Sequence, residues 1–503
     1  MEIKVSEGNF MNKTFARSVF ILFCGTILSA VVYYAPWWGM MDDSTCFNIA
    51  ANFWEHPGIH SFYNQERIEM TTIGRFRPLF QLWIISVYSL FKNFPAGLYF
   101  CMSLIGLAVL LVWGKIINKI FPGSPAIDFN FFVYPLSFFI FTPFWNNFMY
   151  VSTQEKFIYF FATFSFYFFI RAYEANKLLY TVVSFIFMGL GMLCKETGVA
   201  LAGVFSLYSL LDFLVFHKNK RISLFGFGVA TSIFIGYYFF IRSIWVGNYS
   251  VLYKNNLNVG NMFAAILAAP LVIKGLIIIA AIAVCAGLIF FVYRKENLMR
   301  QEFLIFPLFM GAYLVILSPW SFANFYLAPI APSLMLTLYP AYMLINAKSL
   351  LLRRVFDYLL IFLIALVLFF IIIPRIAKMG DNKKIVSAII SMHEGGSPEQ
   401  FFMAPPFAET AVNLQAYTGT SIIYVASSIN ENMLLPGAAN YLIFEDRYAP
   451  VNLRDVVVDK EVYKSRAWKI YSLKKSLGAR SVFIPEFGEN FLQMIKDRIK
   501  AAR

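Results

Sequence analysis

The sequence predicts an α-helical polytopic membrane protein of about 11 transmembrane helices, followed by a small C-terminal α/β domain. Three observations carry that expectation. Hydrophobic residues make up 59% of the 503-residue chain and charged residues only 14%, against the ~25% of a soluble domain. Apolar runs near twenty residues recur from Val19 to Ile373, the length a helix needs to cross a ~30 Å hydrocarbon core. From about Gly380 onward the chain turns polar, with short β-rich runs. A formal charge of +14 suggests nucleic acid in a soluble protein. Here the Lys and Arg fall in short loops, where they hold one membrane face. Cys24, Cys46, Cys101, Cys194 and Cys285 are scattered and form no CxxC, so neither a metal cage nor a disulfide framework is expected.

Lys4, Lys13 and Arg17 precede the first apolar segment, which ends in "YYAPWW" rather than a small-residue cleavage site. It reads as a retained first span. Twelve segments are apolar enough to consider, near residues 18–36, 78–91, 97–114, 127–149, 154–170, 178–194, 196–216, 222–244, 271–293, 303–318, 325–346 and 355–374. The second, "PLFQLWIISVYSLF", is about fourteen residues, short for a span. If it does not cross, the N-terminus and the basic loops at 115–119, 171–177, 217–221, 293–300 and 347–354 all share one side. If it crosses, every later basic loop flips outward while the basic N-terminus stays inside, against the positive-inside rule. Residues 78–91 therefore read as an interfacial helix in the outer leaflet. That leaves eleven spans, with the N-terminus cytoplasmic and the C-terminus outside.

This topology places the first outer loop (36–95), the loops around 146–156, 194–198, 245–267 and 318–325, and the tail on one face. The domains are expected as 1–378, a transmembrane catalytic domain, and 379–503, a soluble extracytoplasmic α/β domain of about 125 residues. In the tail, "SIIYVAS", "NYLIFED", "RDVVVD" and "SVFIPEF" read as strands, and 461–476 and 488–502 as helices.

Several charged residues could carry chemistry on the outer face. Asp42 and Asp43 follow Trp37 and Trp38, interfacial aromatics that place the end of the first span near the headgroups. Adjacent carboxylates repel, which favours a proton on one of them and suits a base; the plainer role for the pair is to cap the helix starting near Ser44, where Asp is favoured. Glu155, in "STQEK", is either a helix N-terminal charge or a group that holds a cation or orients a substrate hydroxyl. Arg75 and Arg77, in "GRFRPL", could grip phosphate oxygens or anchor to lipid headgroups. Lys195 and Glu196, in "CKETG", have apolar sequence close on both sides and are expected to face the bundle interior. Arg242 lies within an apolar run and needs an anionic partner, from a lipid phosphate, Glu196 or Asp42/Asp43. His56 and His60 are four apart, but Pro57–Gly58 between them argues against a regular helix and a zinc site.

The order of these motifs resembles the GT-C superfamily of membrane glycosyltransferases, and within it the bacterial relatives of protein O-mannosyltransferase and of the lipid A aminoarabinose transferase. The resemblance covers roughly residues 15–345. It implies a GT-C-type bundle with membrane-parallel helices in the first outer loop. It also implies inverting transfer of a sugar from a polyprenyl-phosphate donor to a glycan, lipid or protein acceptor outside the cytoplasmic membrane. The family's catalytic Asp after span one maps to Asp42 or Asp43, its basic-Pro pair to Arg77-Pro78, and its second-loop acid to Glu155. Lys195 and Arg242 resemble residues thought to face the phosphate. Gln154 before Glu155 departs from the usual Asp-Pro-type pattern, so the resemblance does not decide whether a divalent cation (Mg or Mn) is used. Two other classes use charges near lipid-linked saccharides. A flippase or transporter usually shows inverted repeats, which are absent from the sequence; a polymerase or ligase usually carries its large outer loop late in the chain.

Overall fold

The computed structural model describes residues 13–37, 42–68, 76–122, 127–151, 153–248, 264, 266–293, 299–317, 324–348, 350–394, 398–403, 408–424, 428–445, 452–454, 456–465, 468–475 and 482–483. The chain is a helical, multi-pass membrane protein with a small C-terminal sheet region. Lys13–Tyr34, Pro95–Ile120, Glu196–Phe216, Leu271–Val292 and Leu351–His393 are long and apolar enough to cross a membrane. Their outward faces are unusually apolar. Leu271, Val272, Ile282, Ile289, Phe362 and Phe370 are all exposed. A soluble monomer does not present so much contiguous apolar surface; lipid tails solvate it.

The helices are α1 (Lys13–Tyr34), α2 (Asp42–Glu55), α3 (Ile59–Ile68), α4 (Pro78–Phe91), α5 (Pro95–Ile120), α6 (Thr142–Met149), α7 (Glu155–Ala175), α8 (Leu178–Cys194), α9 (Val199–Leu211), α10 (Lys220–Asn248), α11 (Leu271–Tyr293), α12 (Ile305–Leu317), α13 (Ala331–Lys348), α14 (Leu350–Val367), α15 (Ile373–His393) and α16 (Ala408–Thr418). The segment expected at 127–149 is broken. A π-helical turn (Phe129–Val133) and a 3₁₀ helix (Tyr134–Ile140) precede α6, and Pro135 and Pro143 interrupt regular helical bonding.

Ion pairs mark the two ends of the bundle. At one end, Lys13 meets Asp128 at 3.7 Å, Lys119 and Arg171 meet Glu174 at 2.5 and 2.7 Å, Arg300 meets Glu174 at 3.5 Å, and Lys218 meets Glu302 at 2.8 Å. This end therefore holds the start of α1, the finish of α5 and α7, and the start of α10. At the opposite end, Lys195 pairs with Glu155 at the start of α7, and the backbone N–H of Phe76 donates to Glu196 Oε1 at 3.3 Å. α5 finishes at the first end, so it starts, at Pro95, at the opposite one. Phe76, just before α4, is held there too. α4 thus enters and leaves at the same end, packed against α2 and α8. Its 14 residues span only about 21 Å, less than a ~30 Å core.

Close backbone approach holds the bundle tight. A Cβ on Gly114 of α5 would lie 2.3 Å from the carbonyl oxygen of Phe131. Backbone cannot yield as a flexible side chain can. Gly114→Ala is expected to lose roughly 1–3 kcal/mol, read as a lower thermal unfolding midpoint in detergent; an unchanged midpoint would show that the π-helical turn gives way freely.

The C-terminal region hangs on one helix. Leu351–His393 runs 43 residues without a break, so the expected domain boundary at 378/379 falls inside α15. Gly380 lets α15 lie on the end of α1, where a Cβ would sit 2.8 Å from Tyr34 O. Beyond it come β1 (Glu399–Met403), β2 (Ser421–Tyr424), β3 (Ser428–Asn430), β4 (Ala439–Glu445), β5 (Asn452–Arg454), β6 (Val456–Lys464), β7 (Trp468–Lys475) and β8 (Val482–Phe483). They form a five-stranded sheet, order β2-β1-β4-β7-β6, and a three-stranded sheet, order β3-β5-β8. β2 and β4 flank β1 in parallel, while β7 runs antiparallel to β4 and β6. The expected helix at 461–476 is corrected to the β6–β7 hairpin. Its Lys-rich composition suits a helix, but Trp468, Ile470 and Leu473 are buried, and pairing with β4 overrides local propensity. The expected helix at 488–502 lies outside the described residues. The domain is tied down at two further points: α16 packs against α2, and the Trp468 indole N–H donates to Asn382 Oδ1 of α15 at 3.0 Å.

Candidate functional site

The charged cluster at the α4 end grows from three local breaks. α7 starts at Glu155, where the Thr153 hydroxyl donates to Asn147 O at 2.8 Å and fixes the preceding turn. An acid in the first turn also suits the positive end of the helix dipole. α8 ends at Cys194, and Lys195 is fully extended (φ −163°, ψ 142°). The 3₁₀ turn Glu196–Gly198 then folds the chain back against α8. Gly198 makes this fold-back fit, since a Cβ there would be 3.0 Å from Gly191 O and the Met192 backbone. The third break is Arg77, the N-cap residue of α4, followed by Pro78.

These breaks bring together side chains far apart in sequence. Glu155 is 1% exposed and forms an ion pair with Lys195, whose side chain is 13% exposed. Glu196 accepts from Phe76, the neighbour of Arg77. Arg77 is buried, its guanidinium 5.7 Å from the Phe80 ring centre. Lys195 and Glu196 are half-buried, and Lys195 engages the Glu155 carboxylate, whereas the sequence points it to donor phosphate.

Two basic residues join the site that sequence reasoning did not assign. Lys156 is buried; its ammonium donates to Tyr150 O at 2.5 Å and Val151 O at 2.8 Å and lies 5.0 Å from the Trp83 ring centre of α4. It clamps the turn before α7 to α4. Arg375, at the start of α15, lies 5.1 Å over the Tyr150 ring. A signal for Lys156 existed: a Lys next to Glu155 at the edge of an apolar run can stay charged only with carbonyl or ring partners.

Asp42 and Asp43 begin α2; their side chains lie outside the described residues, as do Arg75 and the side chain of Arg242, which α10 carries. His56 falls in the break between α2 and α3. Among the described residues, no group of three or more His, Cys, Asp or Glu could hold a metal ion, and the Glu155 carboxylate is met by an ammonium. The site gathers three basic side chains, Arg77, Lys156 and Lys195, with two acids, Glu155 and Glu196, in a largely buried setting where charges interact strongly. Neither a known protein-family model nor a curated protein matches the sequence.

Proposed function

We propose that the chain is an inverting GT-C-type glycosyltransferase that moves a sugar from a polyprenyl-phosphate donor to a glycan, lipid or protein acceptor. The observation that carries this reading is the gathering of Arg77, Glu155, Lys195 and Glu196 at the end of the bundle where α4 begins. A lipid-linked donor needs such a place: its tail stays in hydrocarbon while its phosphate reaches fixed positive charge at the boundary. Eleven spans follow, formed by α1, α5, residues 129–149, α7, α8, residues 196–216 and α10 to α14. The loop charges set the orientation, with the N-terminus in the cytoplasm and the site and C-terminal domain outside the cytoplasmic membrane.

In the reaction an Asp42 or Asp43 carboxylate takes the proton of the acceptor hydroxyl or amine. The freed electron pair attacks the anomeric carbon. The bond from that carbon to the phosphate oxygen breaks, and polyprenyl phosphate leaves with the bonding electrons. Arg77 and Lys195 stabilise the charge that develops there. One displacement inverts the centre, with no covalent enzyme intermediate.

The test is transfer from radiolabelled polyprenyl-phosphate sugars in proteoliposomes. Asp42→Asn/Asp43→Asn should lower turnover by roughly 10²–10⁴-fold, the usual worth of a general base. Full activity in the double variant would remove both residues from the chemistry.

A further inference from the structure

We propose that Gln81 reads the donor sugar, its amide oxygen accepting a hydrogen bond from a sugar hydroxyl beside the phosphate. This rests on the transferase reading above and names a specificity-determining residue within that site. Gln81 is 1% exposed, and its Oε1 is buried with no hydrogen-bond partner. Buried polar atoms are nearly always partnered, because leaving one unmade forfeits its solvation. An apolar residue would fill the same space without that cost, so the orphaned oxygen points to a ligand.

Its position says which ligand. Gln81 lies four residues after Arg77 on α4, hence on the same face one turn further on. Leu82, Ser86, Ser89 and Leu90 form the exposed side of the helix. Ile84, on the inner side, belongs to the same buried cluster as Cys46 and Ala50 of α2, and Gln81, buried one turn before Ile85, shares that inner side. An acceptor oxygen repels phosphate but welcomes a hydroxyl. A phosphate held by Arg77 would bring the sugar attached to it alongside.

Binding is the first readout, because it does not depend on turnover. The probes are polyprenyl-phosphate mannose, glucose and galactose, the 2-deoxy analogue of whichever binds tightest, and polyprenyl phosphate alone. Wild type should prefer the hydroxylated lipid over its 2-deoxy analogue by roughly tenfold or more, the worth of a buried hydrogen bond. Gln81→Leu should shrink that preference to about twofold or less while binding polyprenyl phosphate like wild type, with an unchanged or higher unfolding midpoint. Gln81→Glu, which keeps an acceptor oxygen, should retain the preference; Gln81→Met replaces the Leu variant if that one fails to fold. If wild type ignores the loss of the hydroxyl, or Gln81→Leu keeps the preference, the oxygen serves only a buried water or packing and the proposal falls. Discrimination in binding without any transfer would instead overturn the glycosyltransferase reading and leave Gln81 as a sugar contact.

Discussion

Lys195→Met is expected to lower transfer by about 10²–10³-fold and also to destabilise the protein, whereas Glu155→Gln/Lys195→Met regains stability but not transfer. The stability arm follows from burial. Glu155 is 1% exposed and its ion-pair partner Lys195 13%. Deleting one member leaves a charge without compensation, a loss of about 3–5 kcal/mol in comparable sites. Neutralising both removes that charge, so the double variant should unfold near the wild-type midpoint. The two residues touch, so their single effects cannot add, and the cycle measures the coupling. The activity arm follows from the leaving group: removing one preorganised positive contact to developing phosphate charge typically loses 10²–10³ in rate. If the double variant transfers at the wild-type rate, Lys195 is only a tie between α7 and the α8–α9 junction.

Arg77 carries the second large effect. Arg77→Met should raise the donor KM and lower turnover, together about 10²-fold or more in kcat/KM. Arg77→Lys should recover part of the loss, roughly tenfold, because an ammonium keeps the charge but not the two-pronged geometry of guanidinium on phosphate. The Met side chain keeps most of the apolar stem that packs beside Phe80, 5.7 Å from the guanidinium, so folding is expected to survive. Steady-state kinetics on purified, correctly folded protein separates the outcomes. Unchanged kcat/KM in Arg77→Met would make the residue a membrane anchor.

The helical, multi-pass character of the chain is legible in its recurring apolar runs. The loop charges favour 78–91 not crossing, and the contacts of Phe76 with Glu196 and of Lys119 with Glu174 are consistent with both ends of α4 lying at one end of the bundle. The β6–β7 hairpin was not legible, since the residues that decide it, Trp468 and Ile470, gain their burial from β4 and α15, distant in sequence. The candidate site was half legible. Glu155, Lys195, Glu196 and Arg77 announce themselves as charges beside apolar runs. Their pairing does not, because residues 155 and 195 meet only through the α7–α8 hairpin. Gln81 was invisible, as a Gln in a short amphipathic helix gives no sign of whether it faces water or protein.

Transfer at one shared site requires that α4 not cross the bilayer, and single cysteines in a Cys-less background test this directly. His56, before α4, and Lys92, after it, are both exposed. Each is replaced by Cys and treated in sealed, oriented vesicles with a membrane-impermeant maleimide, with Lys177→Cys at the α7–α8 turn as the opposite-side control. Labelling of positions 56 and 92 from the outer side, and of 177 only from the inner side, is the expected result. Labelling of 56 and 92 from opposite sides would make α4 a span, part Asp42 and Asp43 from Glu155 and Lys195, and contradict the proposed active site.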